Sequence, residues 1–296
     1  MTVALLTVEG LVKDYGAVHA VRGLDLEVAQ GEVLGFLGPN GAGKTTTIRC
    51  LLGLLRPTAG RISVFGLDVA EAGVPIRARL AYVPGELRLP DRMTTRQLAA
   101  TIGRMRGGIE PARRERLAER LGLDLDRPLG DLSTGNRRKV ALLLAFASNA
   151  ELLVLDEPTN GLDPLMQRVF LDLVREAVGE GASVLLSSHV LSEVQRAADR
   201  VVVLRGGEVI AQGSVDELRR SARQRLEIWF EGQVPEAIAR VPGLGDASID
   251  GDRLTATLVG PIQPLLAALG SSRVTSMLVE EPDLEDAFVD LYRTPA

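Results

Sequence analysis

The sequence predicts an α/β layer structure followed by a small α+β domain, and three observations lead there. Short, continuously apolar runs alternate with segments long enough to hold helices. A glycine-rich stretch, GPNGAGKTTT (38–47), lies where one such run gives way to a helical pattern, and the texture of the chain changes near residue 220.

VLGFL (33–37), LAYV (80–83), LLVLD (152–156) and SVLLSS (183–188) are predicted as buried parallel strands. Each is short, apolar and bounded by turn residues. LEVAQGEVL and RVVVLRGGEVIAQG are expected to be strand pairs turning at Gly31 and at Gly206-Gly207, antiparallel additions to the parallel layer. After the basic stretch RRSARQR (219–225), RLEIWFE places Leu226, Ile228 and Phe230 on one face of a strand. VPEAIARV and IQPLLAALG are predicted as short helices around a DRLTATLVG strand, and VTSMLV leads to a terminal helix, PDLEDAFVDLYR. We therefore expect domains over 1–220 and 221–296, the second near the lower size at which domains fold alone.

A chain of 296 residues with 46 % apolar content can fill both cores. The net charge is only −5 and both signs are interspersed, so nucleic acid is not an expected partner. The single cysteine, Cys50, sits in an apolar helical pattern and is expected in the core. The longest apolar stretch, VALLLAFASNAELLVL, is broken by Asn149 and Glu151, and the N-terminus lacks a basic region and cleavage site. Neither a membrane span nor an ordinary export signal is expected.

GPNGAGKT fits G-x-x-x-x-G-K-[ST] between a strand and a helix, the context that gives the pattern physical meaning. Gly38, Gly41 and Gly43 let the backbone curl so that its N–H groups form an anion nest at a helix N-terminus. Lys44 is then placed to neutralise nucleotide phosphates and the Thr45 hydroxyl to help hold Mg²⁺. Only three of the 34 basic residues are lysine, which makes the position of Lys44 more telling.

LLVLDEPTNGLDP puts Asp156 at the end of a buried strand and Glu157 just beyond it, on the crevice at the strands' carboxyl ends. Asp156 suits a Mg²⁺ shell, and Glu157 suits a base that orients attacking water. His189 ends the next strand; alone it would be an ordinary hydrogen-bonded histidine, and these neighbours point it toward a γ-phosphate. In DLSTGNRRKV, Ser133 can cap the helix that follows and Gly135 keeps its first turn bare, which suits a second anion site as well as an ordinary capped helix.

Over residues 3–220 the chain now resembles the ATP-binding cassette (ABC) ATPases. GPNGAGKT is similar to the Walker A loop, LLVLDE to Walker B, LSTGN to the ABC signature, NGLDP to the D-loop and SSH to the switch-histidine strand. The resemblance implies a P-loop fold with a RecA-like core, an antiparallel β subdomain and a helical subdomain. It implies ATP and Mg²⁺ as ligands. The nucleotide would be lined by Gly38, Pro39, Asn40, Gly41, Ala42, Gly43, Lys44, Thr45 and Thr46, with Asp163 of the D-loop nearby and Tyr15 stacked on adenine. Two copies would sandwich two ATP molecules, Ser133 and Gly135 of one facing the Lys44 site of the other. Lys44, Glu157 and His189 are the implied catalytic residues, with Thr45 and Asp156 on the metal.

Two positions depart from the family pattern. The signature carries Thr134 and Asn136 where LSGGQ is commonest, and the Q-loop glutamine falls at Gly85, leaving Glu86 or a water to stand in. A single cassette with its own C-terminal domain resembles the ATPases of ABC-2 exporters of drugs, antibiotics or lipid-like compounds, as does the ending EEPDLEDAFVDLY. That class implies a separate membrane permease and a place on the cytoplasmic face of the membrane. The alternatives are an importer ATPase, or a non-transport ABC ATPase acting on ribosomes or DNA.

Overall fold

The computed structural model describes residues 4–106, 108–217, 224–235, 238, 241–270 and 272–280. Two compact units divide the chain, Met1–Gln212 and Gly213–Ala296. The expected boundary at 220 lies outside the described residues.

The first unit begins with β1 (Ala4–Tyr15), β2 (Val18–Ala29), β3 (Val33–Leu37), α1 (Lys44–Leu51), β4 (Ala59–Val64), β5 (Leu67–Asp68), α2 (Gly73–Ala78) and β6 (Leu80–Val83). Three helices follow, α3 (Thr95–Met105), α4 (Pro111–Leu121) and α5 (Thr134–Ala147). Then come β7 (Leu152–Asp156), α6 (Pro164–Gly179), β8 (Ser183–Ser188), α7 (Leu191–Ala197), β9 (Arg200–Arg205) and β10 (Glu208–Ser214).

Two sheets result. One has the order β2-β1-β4-β5 and is antiparallel; the other has the order β10-β9-β3-β8-β7-β6, parallel from β9 to β6. All five residues of β3, of β7 and all six of β8 are buried, as central strands covered on both faces require. Between the sheets lies α1, whose Ile48 and Leu51 are fully buried in one core with Leu6 and Val28 of the antiparallel sheet and Phe36 and Val154 of the parallel one. Burying each such side chain contributes roughly 1.5–3 kcal/mol.

The expected strand pair at Gly31 does not form. β2 and β3 belong to different sheets, and Gly31, at φ +73°, carries the chain between them. Both edges of β3 are taken by β8 and β9, which leaves no ladder for its predecessor. At Gly206-Gly207 the pair does form, with both glycines at positive φ as a tight two-residue hairpin requires, but only β10 is an addition: β9 runs parallel to β3 and belongs to the parallel layer.

The second unit holds β11 (Gln224–Phe230), β12 (Leu244–Asp250), β13 (Arg253–Leu258), α8 (Gln263–Leu269) and β14 (Val274–Glu280). Its sheet is antiparallel with the order β12-β13-β11-β14. Leu226, Ile228 and Phe230 share one buried face and pack with Leu254, Leu258, Leu265 and Leu269. Half of VPEAIARV and all of PDLEDAFVDLYR lie outside the described residues, although Ile238 and Val241 join that core. Strand β12 escaped the sequence reading because LGDASID, a largely exposed edge, carries no alternating pattern.

Candidate functional site

Strands β3, β8 and β7 lie side by side and parallel, with Leu37 opposite Ser188 and Asp156 opposite Ser187. Whatever follows their carboxyl ends converges on one crevice.

The loop 38–43 leaves β3 and enters α1. Gly43, at φ +107°, is its last residue, and a Cβ there would come within 2.6 Å of the Ala20 carbonyl oxygen; at Gly38 it would come within 2.6 Å of the Leu204 carbonyl oxygen. Any larger residue would push the loop off the sheet. Pro39, Asn40 and Gly41 form its exposed crest and Ala42 is buried. Lys44, Thr45 and Thr46 make the first turn of α1, whose N–H groups have no partners within the helix.

Lys44 is 6 % exposed. Its ammonium donates to the carbonyl oxygens of Gly38 and Pro39 and lies 3.3 Å from Glu157 Oε1. Asp156 is wholly buried; its Oδ2 accepts from Thr45 Oγ1 at 3.0 Å and its Oδ1 from Ser187 Oγ. Glu157 has φ +49°, a left-handed conformation that costs on the order of 1–3 kcal/mol. Its amide donates to Ser187 O at 3.1 Å and to Ser187 Oγ at 3.2 Å, which fixes the bend and turns the carboxylate out of the strand. Glu157 Oε2 meets His189 Nδ1 at 2.7 Å. Glu157 Oε1 is buried and has no hydrogen-bond donor, because Lys44 Nζ approaches it closely but off the bonding direction.

These groups fit a magnesium nucleotide. Mg²⁺ takes one or two protein oxygens and completes its shell from phosphates and water, and the Asp156 carboxylate beside the Thr45 hydroxyl is such a set. Among the described residues no cluster of three His, Cys, Asp or Glu could hold a metal alone. Glu157 Oε1, buried without a hydrogen-bond donor and 3.3 Å from Lys44 Nζ, is left with unused acceptor capacity beside the lysine. Nearby, burial pushes the Tyr82 phenol up to about 12, with the Asp156 charge adding to the effect.

The remaining expected site residues lie on other elements. Ser133 caps α5, its Oγ accepting from Asn136 N at 3.3 Å. A Cβ on Gly135 would meet the Gly161 carbonyl oxygen at 2.8 Å, so the start of α5 abuts the NGLDP turn. Asp163 caps α6 by accepting from Met166 N at 2.9 Å. Tyr15 ends β1, 47 % exposed, with Lys13 Nζ 5.1 Å from its ring centre. Among the described residues no hydrogen bond or ion pair joins these four to the Lys44–Glu157–His189 group.

Three further residues belong with the site. Ser187 binds both acidic neighbours, but inside an all-buried strand its hydroxyl looks like any other small residue. Glu193 Oε2 accepts from Thr159 Oγ1 at 2.6 Å and Ser188 Oγ at 3.1 Å, tying the turn after Glu157 to the strand before His189. Arg138 stands between two other basic residues, Arg137 and Lys139, and is 6 % exposed.

Residues 21–160 match the ABC transporter family. Across 97 % of its length the chain is 37 % identical to the daunorubicin resistance ATP-binding protein DrrA3 of Streptomyces coeruleorubidus, covering 95 % of that protein. The chain belongs to the ABC transporter family. This ABC cassette is also 34 % identical to the Nod factor export ATP-binding protein I of Burkholderia orbicola, over 98 % of each chain. A solved ATP-binding subunit of an ABC transporter shares 34 % identity at a TM-score of 0.67, covering 73 % of this chain and 92 % of that one. A bacterial Atm1-family ABC exporter with ATP bound shares 28 % identity at a TM-score of 0.65, over 74 % of this chain and 40 % of that one. The cassette has the P-loop ABC nucleotide-binding fold, as its motifs implied, and it is an ABC-type ATPase. The relatives matched over nearly the whole chain share the C-terminal unit too.

Proposed function

We propose that this ABC ATPase binds magnesium ATP on the Lys44 loop and hydrolyses it to energise export, through a separate membrane permease, of a drug, antibiotic or lipid-like compound. The observation that carries the chemistry is the joining of Lys44, Thr45, Asp156, Glu157 and His189 in one bonded group. The export relatives matched along the whole chain support the use made of it.

Lys44 and the first N–H groups of α1 bind the β- and γ-phosphates. Thr45 and Asp156 hold the metal, and bound Mg²⁺ neutralises phosphate charge that grows during transfer. Glu157 orients water for in-line attack, while His189 holds its Oε2. Tyr15 stacks on adenine. Two copies close around two nucleotides, with Ser133, Gly135 and Asp163 of each completing the other's site; hydrolysis reopens the pair. Among the described residues no helix is long and apolar enough to cross a membrane. The protein works at the cytoplasmic face by docking on the permease. The C-terminal unit strengthens the pair, so truncation after about residue 220 is expected to weaken dimerisation.

The test is Glu157→Gln. ATP binding should persist, turnover should fall by about 10²–10⁴-fold, and a nucleotide-bound dimer should accumulate on size-exclusion chromatography. Hydrolysis near the parent rate would remove Glu157 as the base.

A further inference from the structure

Gly85 offers no side chain to the crevice, yet the loop it belongs to is firmly held. In the second turn of α5, Arg138 donates from Nη1 to the Pro84 carbonyl and from Nη2 to the Gly85 carbonyl. Arg138 is buried and, among the described residues, forms no salt bridge. Burial pulls it below the usual arginine range, while Asp156, Glu157 and Tyr82 push the other way, so its charge is felt in the crevice. On the far side of the loop, a Cβ at Gly85 would lie 3.4 Å from Asp156 Oδ2. The loop backbone at 84–85 is thus bonded to α5 through Arg138, and the place a side chain at position 85 would occupy faces the Asp156 carboxylate.

We infer that Arg138 is a positioning residue that tethers the loop at Gly85 to the signature helix α5, holding the loop backbone against Asp156 in place of a side chain at position 85. A planar fork with two parallel donors suits two successive carbonyls and holds them in one fixed geometry, whereas an ammonium on a flexible stem fixes their orientation less. Movement of α5 when two cassettes close is thereby transmitted to the carboxylate that faces Thr45. This role rests on the proposed hydrolysis; the tether itself does not.

The experiment uses full-length protein carrying Arg138→Met, which keeps bulk and removes both donors, and Arg138→Lys. Without nucleotide, hydrogen exchange over residues 81–90 should quicken at least about tenfold in the methionine variant and less in the lysine variant, with α6 unchanged. The turnover number should fall at least about tenfold while KM for ATP stays within about twofold, and lysine should restore part of the loss. Parent-like exchange over the loop, or loss of protection spread evenly through the domain, would overturn the tether.

Should Arg138→Met fail to fold, Gly85→Gln serves with Arg138→Lys. The Gly85 backbone does not have positive φ and a Cβ there would make only ordinary contact, so a side chain can start from this position without backbone strain. Glutamine supplies a second hold on the loop, and the lysine variant should then lose less turnover than in the Gly85 parent. Equal losses in both backgrounds would overturn the inference. A parent that hydrolyses no ATP would end the proposed function and leave the exchange result to decide the tether.

Discussion

Glu157 Oε2 and His189 Nδ1 lie 2.7 Å apart, joining the residue after β7 to the residue after β8. The bond occupies one carboxylate oxygen and leaves the other without a hydrogen-bond donor, 3.3 Å from Lys44 Nζ. His189→Ala should let the carboxylate swing. We expect turnover to fall by about 10²-fold with ATP affinity nearly kept, since an error of about 1 Å at a reacting group costs that much. Steady-state ATPase and a nucleotide-binding titration separate the two quantities; equal losses in both would place His189 in binding.

Lys44 is held by carbonyls of its own loop, so its ammonium is already in place before any phosphate arrives. Lys44→Ala should weaken ATP binding by at least about tenfold, about 1.4 kcal/mol. Titration with a fluorescent ATP analogue reads this directly, and unchanged affinity would contradict the phosphate role.

Gly135 leaves 2.8 Å between a would-be Cβ and the Gly161 carbonyl oxygen. Gly135→Ala must shift either α5 or the turn before α6. Overpacking of this kind costs about 1–3 kcal/mol, and the urea midpoint should drop accordingly. A midpoint equal to the parent's would show that the two segments part freely.

Arg79 donates to both oxygens of Glu151, at 2.6 and 2.7 Å, and lies 3.9 Å from the centre of the Phe65 ring. The Arg79 hydrogen bonds hold the Glu151 carboxyl below its usual range. A depressed native value means that the stabilisation is present above the unfolded-chain value, about 4.3, and is lost as pH falls through the lower native one. Glu151 is half exposed, so the pair contributes only about 0.2–1 kcal/mol. Glu151→Gln should lower the urea midpoint slightly at pH 6, and the difference from the parent should shrink toward pH 3. A gap that stays constant across that range would exclude Glu151 as its source.

Local spacing made much of this protein legible. GPNGAGKT, LLVLDE and SSH are contiguous words whose glycines, carboxylates and histidine meet at one crevice, and four of the five parallel strands stand out as short apolar runs. What acts across the fold was hidden. Gly31 looks like a hairpin turn because nothing in LEVAQGEVL says that both edges of the next strand are taken. Ser187 gains its partners only because β7 and β8 are in register, and Arg138 is buried only because α5 lies against the loop at 84–85.

The sequence by itself determined the chemistry on offer and the order of its parts: a phosphate-binding loop, two carboxylates, a histidine and a second small domain. Only the tertiary structure decided which oxygen of Glu157 faces His189 and which faces Lys44, that Asp156 is shared by Thr45 and Ser187, and that a guanidinium braces the loop at Gly85. Propensity and periodicity act over a few neighbouring residues, whereas hydrogen bonds between residues 30 to 111 positions apart are set by strand order and register.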